Sequence, residues 1–273
     1  TANDDFVFFE HRTSFAESVV RAVDAGTLAA LADYDFSARV NALDISNNTL
    51  YVSAASDGIL GYDISVAPSA DDPAPILSPD LAGLAQSSTV QGDYLVVAAS
   101  TGVESFRLLP TIGYASERAA LGPTNMTAVS TLGTDAHVLG LGTFYIADLT
   151  DPLTTALDAA SGVDGASQLI LQGDREFVVS RNPDTVRILS VPSGSDPTQM
   201  AEFVHNSSEF YSIGDVTYGI RGSVIAIYDT SDTNDVSQIR SIGFDRSISG
   251  LAARGDYLYA VYLYDTVSGR DSG

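Results

Sequence analysis

Gly255-Asp256-Tyr257-Leu258-Tyr259-Ala260-Val261 reads as a tight turn followed by an alternating, aromatic-rich strand. The chain has used the same device before. Gly214-Asp215 stands 41 residues earlier, Gly173-Asp174 another 41, Gly133-Thr134-Asp135 another 40 and Gly92-Asp93 another 41. Two weaker copies continue backwards, at Asn47-Asn48-Thr49-Leu50-Tyr51-Val52 and at Asn3-Asp4-Asp5-Phe6-Val7-Phe8. Seven turn–strand landmarks at a spacing of 40 to 45 residues organise the whole sequence.

The unit around each landmark is clearest after Arg39. A strand at 40–45 leads into the turn Ser46-Asn47-Asn48, a second strand covers 49–55, and Asp57-Gly58 is a hairpin signal. A third strand follows at 59–64, then a polar loop and a short fourth strand at 75–77. The unit recurs over 84–117, 126–157, 168–203 and 210–242, and 248–263 holds two strands of a last copy. Residues 4–36 read as strands at 6–10, 18–23 and 27–34, assigned to strands two to four of a copy. Four short antiparallel strands repeated without helical periodicity describe a β-propeller blade. One such blade cannot bury both its faces, and stacking in a ring solves that while leaving only short edges. The expectation is an all-β propeller of four-stranded antiparallel blades, seven by this count and six if the two partial copies share one. It spans 1–273 as one domain of a longer protein.

Charge bounds the setting. The net charge is −22, all 13 basic residues are Arg, and the 35 acids are 28 Asp and 7 Glu. Short carboxylates hold water and salt while adding little apolar stem. Their mutual repulsion is screened within about 3 Å in molar salt. This is the composition of a halophile. It disfavours nucleic acid and anionic lipid as partners, because phosphate binding needs a basic stripe. There is no Cys, so disulfides and thiolate sites are excluded, and no apolar run is long enough for a transmembrane helix. No signal peptide opens the chain. Asn47, Asn125 and Asn206 head Asn-x-Ser/Thr triplets and are the glycosylation candidates.

The third strands share a signature. They read Ile59-Leu60-Gly61-Tyr62-Asp63-Ile64-Ser65, Phe144-Tyr145-Ile146-Ala147-Asp148-Leu149-Thr150-Asp151-Pro152 and Val224-Ile225-Ala226-Ile227-Tyr228-Asp229-Thr230-Ser231-Asp232. An aliphatic strand, an Asp, an aliphatic residue or Thr, then Ser/Thr-Asp-Pro resembles the LVIVD-type repeat propellers of secreted and cell-surface proteins. The copies at Phe106-Arg107-Leu108 and Ile188-Leu189-Ser190 depart from it. The resemblance implies a propeller in an extracellular setting and brings no catalytic residues.

No nucleophile elbow, P-loop or zinc-helix motif occurs, so no catalytic residue is assigned. His11, His137 and His205 read as structural or surface residues, with His205 also near the candidate site. Asp4-Asp5, Asp71-Asp72 and the acids of 229–235 have the oxygen chemistry that Ca²⁺ takes, and equally that of a solvated acidic surface. The Arg distribution is less expected. Loops after second strands and before first strands share one face of a propeller, and Arg39, Arg181, Arg221 and Arg246 fall there. Arg clusters bind carboxylate or sulfate. The competing reading pairs each with a nearby Asp such as Asp57, Asp184 or Asp245. Tyr62, Tyr228 and Tyr264 are candidate aromatic support.

The expected function is a non-enzymatic binding or assembly module on a halophile's surface, meeting a protein or an anionic glycan. A spike or receptor-binding protein of a halophilic virus, facing the same brine, is the alternative within that class. The rival class is a channel-site hydrolase or lyase. The channel-facing strand starts Asn41-Ala42-Leu43, Gln86-Ser87-Ser88, Ala128-Val129-Ser130, Leu169-Ile170 and Gly250-Leu251-Ala252 are too bland to favour it.

Overall fold

The computed structural model describes residues 5–12, 17–68, 73–109, 114–121, 124–140, 142–150, 158–162, 166–172, 175–181, 184–190, 198–254 and 257–262. Every regular element among them is a β-strand, and every pairing is antiparallel between strands consecutive in the chain. The first sheet is β1 (Phe6–Arg12), β2 (Ser18–Asp24) and β3 (Ala30–Phe36); the second is β4 (Ala42–Ser46), β5 (Thr49–Ala54) and β6 (Gly58–Asp63). The third is β7 (Ala85–Gln91), β8 (Tyr94–Ala99), β9 (Gly102–Leu108) and β10 (Tyr114–Leu121). The fourth is β11 (Met126–Leu132), β12 (Asp135–Gly140), β13 (Thr143–Asp148) and β14 (Asp158–Gly162). The fifth is β15 (Ala166–Gln172), β16 (Arg175–Arg181), β17 (Asp184–Ser190) and β18 (Thr198–Val204). The sixth is β19 (Glu209–Ile213), β20 (Val216–Arg221), β21 (Val224–Asp229) and β22 (Ser237–Gly243), and the seventh is β23 (Ile248–Arg254) with β24 (Tyr257–Tyr262).

Two expectations shift. The third N-terminal strand starts at Ala30 rather than 27, because Asp24 caps a turn. Its Oδ1 accepts from the amides of Gly26 and Thr27 at 3.0 and 2.7 Å, and Leu28 takes φ 60°. The strand expected at 75–77 is reduced to a bridge between Gly61 and Leu77, where Pro75 has no N–H to extend the ladder. The N-terminal strands keep their expected rank of two to four: β1 ends at the face where Ser18 Oγ meets the Val40 amide at 3.1 Å, Asp24 leaves β2 by a turn to the Gly26 amide, and Ala25 bonds back to Asp5. No first strand pairs with β1 among the described residues, and β1 itself lines the cavity.

The core is a series of seams between sheets. Second strands are apolar on both faces, and the two-residue period sends alternate side chains into opposite seams. In β5, Leu50 and Val52 pack toward the first sheet while Tyr51 packs toward the third. In β8, Leu95 and Val97 face the second sheet, and Val96 and Ala98 the fourth. Leu139 and Val178 join the fourth and fifth sheets, Phe177 and Phe210 the fifth and sixth, and Ile220 and Leu251 the sixth and seventh. Val7 and Val23 of the first sheet pack with Ala252 and Tyr259 of the seventh. Among the described residues the series therefore meets its own beginning by packing rather than by a shared sheet.

One end of the sheets is built from the sequence landmarks. The loops Gly92-Asp93, Gly133-Thr134 and Gly214-Asp215 each open on a glycine at φ 54–60°, a backbone that L side chains resist. Asn47 and Asn48 fill the same place at φ 48° and 58°. The third-strand Asp of the repeat signature explains itself here. Asp63, Asp148 and Asp229 accept from the amides of Ser65, Thr150 and Ser231 at 2.7–2.9 Å, which turns the chain out of the strand. Hydrogen bonds from the hydroxyls of Ser65, Thr150 and Ser231, and then from their amides, hold all three carboxyls below the usual range. The next residue bonds back to the landmark turn: Ile64 to Asn48, Leu149 to Thr134 and Thr230 to Asp215. Landmark turns and third-strand exits therefore share one face, and adjacent turns are tied by Gln91 donating to the Gly133 carbonyl. The expected turns Gly173-Asp174 and Gly255-Asp256 lie outside the described residues.

Candidate functional site

At the opposite end the first strands begin, and there the sheets converge on a cavity of about 520 Å³. It is lined by β1, β4, β7, β11, β15, β19 and β23, with Arg39 and Asn41 at the approach to β4. Most of the strand starts that the sequence placed along a channel line it and are largely neutral, but Ser88, Val129, Ser130 and Ile170 do not. Carboxylates enter at Glu10 and Glu209.

A single position recurs at this mouth. β7, β11, β15 and β23 each bulge on their second residue, at Gln86, Thr127, Ser167 and Ser249. Asn41 and Ser208 occupy the same place before β4 and β19. The hydroxyls of Thr127, Ser167, Ser208 and Ser249 donate to the carbonyls of Leu139, Val179, Ile220 and Val261 at 3.1–3.5 Å. Asn41 Nδ2 donates to the Ala85 carbonyl at 2.8 Å. Gln168 is spent sideways, with both amide atoms on the backbone of Phe210. Sequence reasoning passed over this ring. Its trace was a lone polar residue at the 41-residue period, which means nothing until the bulge is known.

The arginines divide by position. Those in mid-strand pair with acids across the sheet: Arg21 grips Asp33 through two bonds of 2.7 and 2.6 Å, and Arg187 meets Glu202 at 3.0 Å. Arg175 lies at the landmark-turn face, donating to the Thr230 carbonyl at 2.8 Å with Asp215 at 3.8 Å. Arg39, Arg181, Arg221 and Arg246 occupy the other end, the first two entering β4 and closing β16, the others closing β20 and preceding β23. Arg39 and Arg221 are exposed and have no side-chain partner among the described residues, while Arg246 has one. Asp57, a suggested partner for Arg39, is occupied instead by Ser37 Oγ at 2.8 Å and the Ala38 amide at 3.0 Å. The side chain of Arg181 lies outside the described residues.

His205 is buried at this end and its ring is engaged. Nε2 donates to the Ser180 carbonyl and Nδ1 accepts the Ser207 amide, both at 3.1 Å, with Phe210 edge-on at 4.6 Å. His137 is equally buried, between the fourth and fifth sheets, where its Nδ1 meets Glu176. Ser130 donates to the other oxygen of Glu176 at 2.7 Å. The side chain of His11 is not among those described. Tyr62 and Tyr228 are core residues of two seams, not rim aromatics, because their alternation points them between sheets; Tyr264 lies outside the described residues.

Asn47, Asn125 and Asn206 are exposed, Asn47 at the landmark-turn face and the others at the approaches to β11 and β19. Among the described residues no three His, Asp or Glu side chains gather as a metal site. In the 229–235 loop, Asp229 and Asp232 spend an oxygen on Ser231 and Asn234. Asp4, Asp71 and Asp72 lie outside the described residues. Among the described residues no helix is long and apolar enough to cross a membrane.

No family model matches the chain, and no curated protein matches its sequence. Solved structures do resemble it. The computationally designed Ika8 protein aligns with a TM-score of 0.64 at 14% identity, covering 96% of this chain and 79% of that one. The WD40 β-propeller domain of Doa1 aligns at 0.63 and 10% identity, covering 92% and 87%. A functionally unknown protein from Desulfotomaculum acetoxidans aligns at 0.66 and 13%, covering 84% and 78%. At these identities the likeness concerns fold alone. The chain has an all-β, propeller-like fold of antiparallel sheets.

Proposed function

We propose that this chain is a seven-bladed propeller of the LVIVD-type kind and serves as a non-enzymatic binding module on the surface of a halophilic cell or virion. Its working face is the channel mouth, which docks an anionic group of a partner protein or a glycan. One observation carries the reading: Arg39 stands at a cavity of about 520 Å³, exposed and without a side-chain partner among the described residues. Where 13 Arg stand among 35 acids, a guanidinium without a carboxylate is an expense the fold does not require. Arg221, exposed on the β20–β21 hairpin at the same end, extends the surface. Seven seams and seven inner strands support the blade number.

The test is Arg39→Gln together with Arg221→Gln, assayed in molar KCl against acidic peptides and anionic oligosaccharides. Loss of binding at an unchanged melting temperature supports docking. A melting temperature lower by several degrees, with no ligand bound by the parent protein, makes these arginines structural.

A further inference from the structure

We infer that the channel mouth recognises a polyhydroxylated anion of the uronate class, its carboxylate on Arg39 and its hydroxyls donating into the rim. This rests on the proposed reading of the mouth as an anion site and chooses between the two kinds of partner that reading allows.

The choice follows from where the protons are. A hydroxyl has one proton, and a backbone carbonyl only accepts. The bonds from Thr127, Ser167 and Ser249 to Leu139, Val179 and Val261 therefore use up each proton. What these residues offer the cavity is oxygen lone pairs. Asn41 follows the same logic: its amide nitrogen is fixed on the Ala85 carbonyl, which turns Oδ1 outward as an acceptor. Tyr211 gives its proton to Glu209 at 3.2 Å, and burial raises its pKa so that the proton stays. Glu10 and Glu209 add carboxylate oxygens to the lining. Against these acceptors stand the donors Arg39 and the amide of Gln86, whose Oε1 already faces Asn41 Nδ2 at 3.4 Å.

A complementary ligand has one anionic group and several O–H donors. A uronate has a single carboxylate and a ring of hydroxyls, and vicinal hydroxyls suit carboxylate and hydroxyl acceptors. An acidic peptide brings further carboxylates to a rim that is already rich in acceptors and carries two carboxylates of its own. A cavity of about 520 Å³ is within the range of small-ligand pockets, roughly 300–1,000 Å³. Neutral hydrogen bonds also suit brine, since salt screens an exposed ion pair but leaves them intact.

The experiment measures binding of a trisaccharide bearing a single terminal galacturonate and of a tri-aspartate peptide in molar KCl. Thr127→Val, Ser167→Ala and Ser249→Ala are compared with Arg39→Gln. Ser231→Ala is the control, because Ser231 spends its hydroxyl on Asp229 at the opposite, landmark-turn end of the sheets. We expect each of the three rim variants to weaken trisaccharide binding by about three- to tenfold, Arg39→Gln by more, and Ser231→Ala to leave it unchanged. The peptide binds more weakly and is indifferent to the rim variants. If the peptide binds as tightly as the sugar, depends on Arg39 and ignores the hydroxyls, this inference is overturned while the anion-docking reading stands. If neither probe depends on Arg39, the docking reading falls and takes this inference with it.

Discussion

The hydroxyl of Tyr259 donates to the carbonyl of Ala25 at 3.1 Å, across 234 positions of sequence. It joins the seventh sheet to the first at a seam where Val7, Val23 and Ala25 are buried. No strand is shared across this seam among the described residues, so side chains alone hold the ends of the series together. Tyr259→Phe keeps the ring packing and removes the bond. It should cost about 1 kcal/mol, or roughly 2–4 °C of melting temperature for a chain of this size. Tyr259→Ala should cost several times more. Equal melts for parent and Phe variant would mean that the closure does not use this bond.

Glu176 is fully buried and serves both His137 and Ser130 from across a seam. Removing one member of a buried hydrogen-bonded pair strands the other. Glu176→Ala should therefore destabilise by about 3 kcal/mol, and Glu176→Gln, which still accepts from Ser130, by less. Denaturant melts distinguish the two. A Glu176→Ala protein as stable as the parent would show that the network contributes nothing.

Asp44 gives a pH dependence of unusual sign. Burial pushes its carboxyl up from 3.8 to about 6, while hydrogen bonds from the Ile45 and Val90 amides offset part of that cost. The folded state thus holds a proton that the unfolded chain releases. Asp44 costs stability in full above pH 6, and the cost disappears as the pH falls from about 6 to 4. Asp44→Asn should stabilise the protein at pH 7.5 by up to about 2 kcal/mol and make little difference at pH 4. A variant no more stable than the parent at pH 7.5 contradicts this.

The fold was legible where one residue type is physically required. Positive φ selects Gly or Asn, so the turns at 48, 92, 133 and 214 mark the period. A short carboxylate holds the turn out of three of the third strands, so Asp63, Asp148 and Asp229 mark their ends. The rank of β1 was legible from the landmark before it, but its place on the cavity was not, because that follows from no first strand pairing with it among the described residues. The position of Arg39 followed from loop topology. Its lack of a partner depends on Ser37 and Ala38 occupying Asp57, a contact that sequence spacing does not carry.

A net charge of −22 with no Lys predicts a salt requirement. Repulsion among surface carboxylates is long-ranged in dilute buffer and screened within about 3 Å at 1 M. The melting temperature should climb steadily from low salt to molar KCl. A flat or falling midpoint would remove the reading of this composition as a halophile's.

Whether the channel mouth is a binding site is decided most directly by a crystal structure of the protein grown in molar KCl with a saturating trisaccharide that bears a single terminal galacturonate. We expect one sugar ring at the mouth, its carboxylate on the Arg39 guanidinium and its hydroxyls toward Thr127, Ser167 and Ser249. A sugar seated elsewhere on the protein, or a mouth that stays empty at saturation, contradicts it.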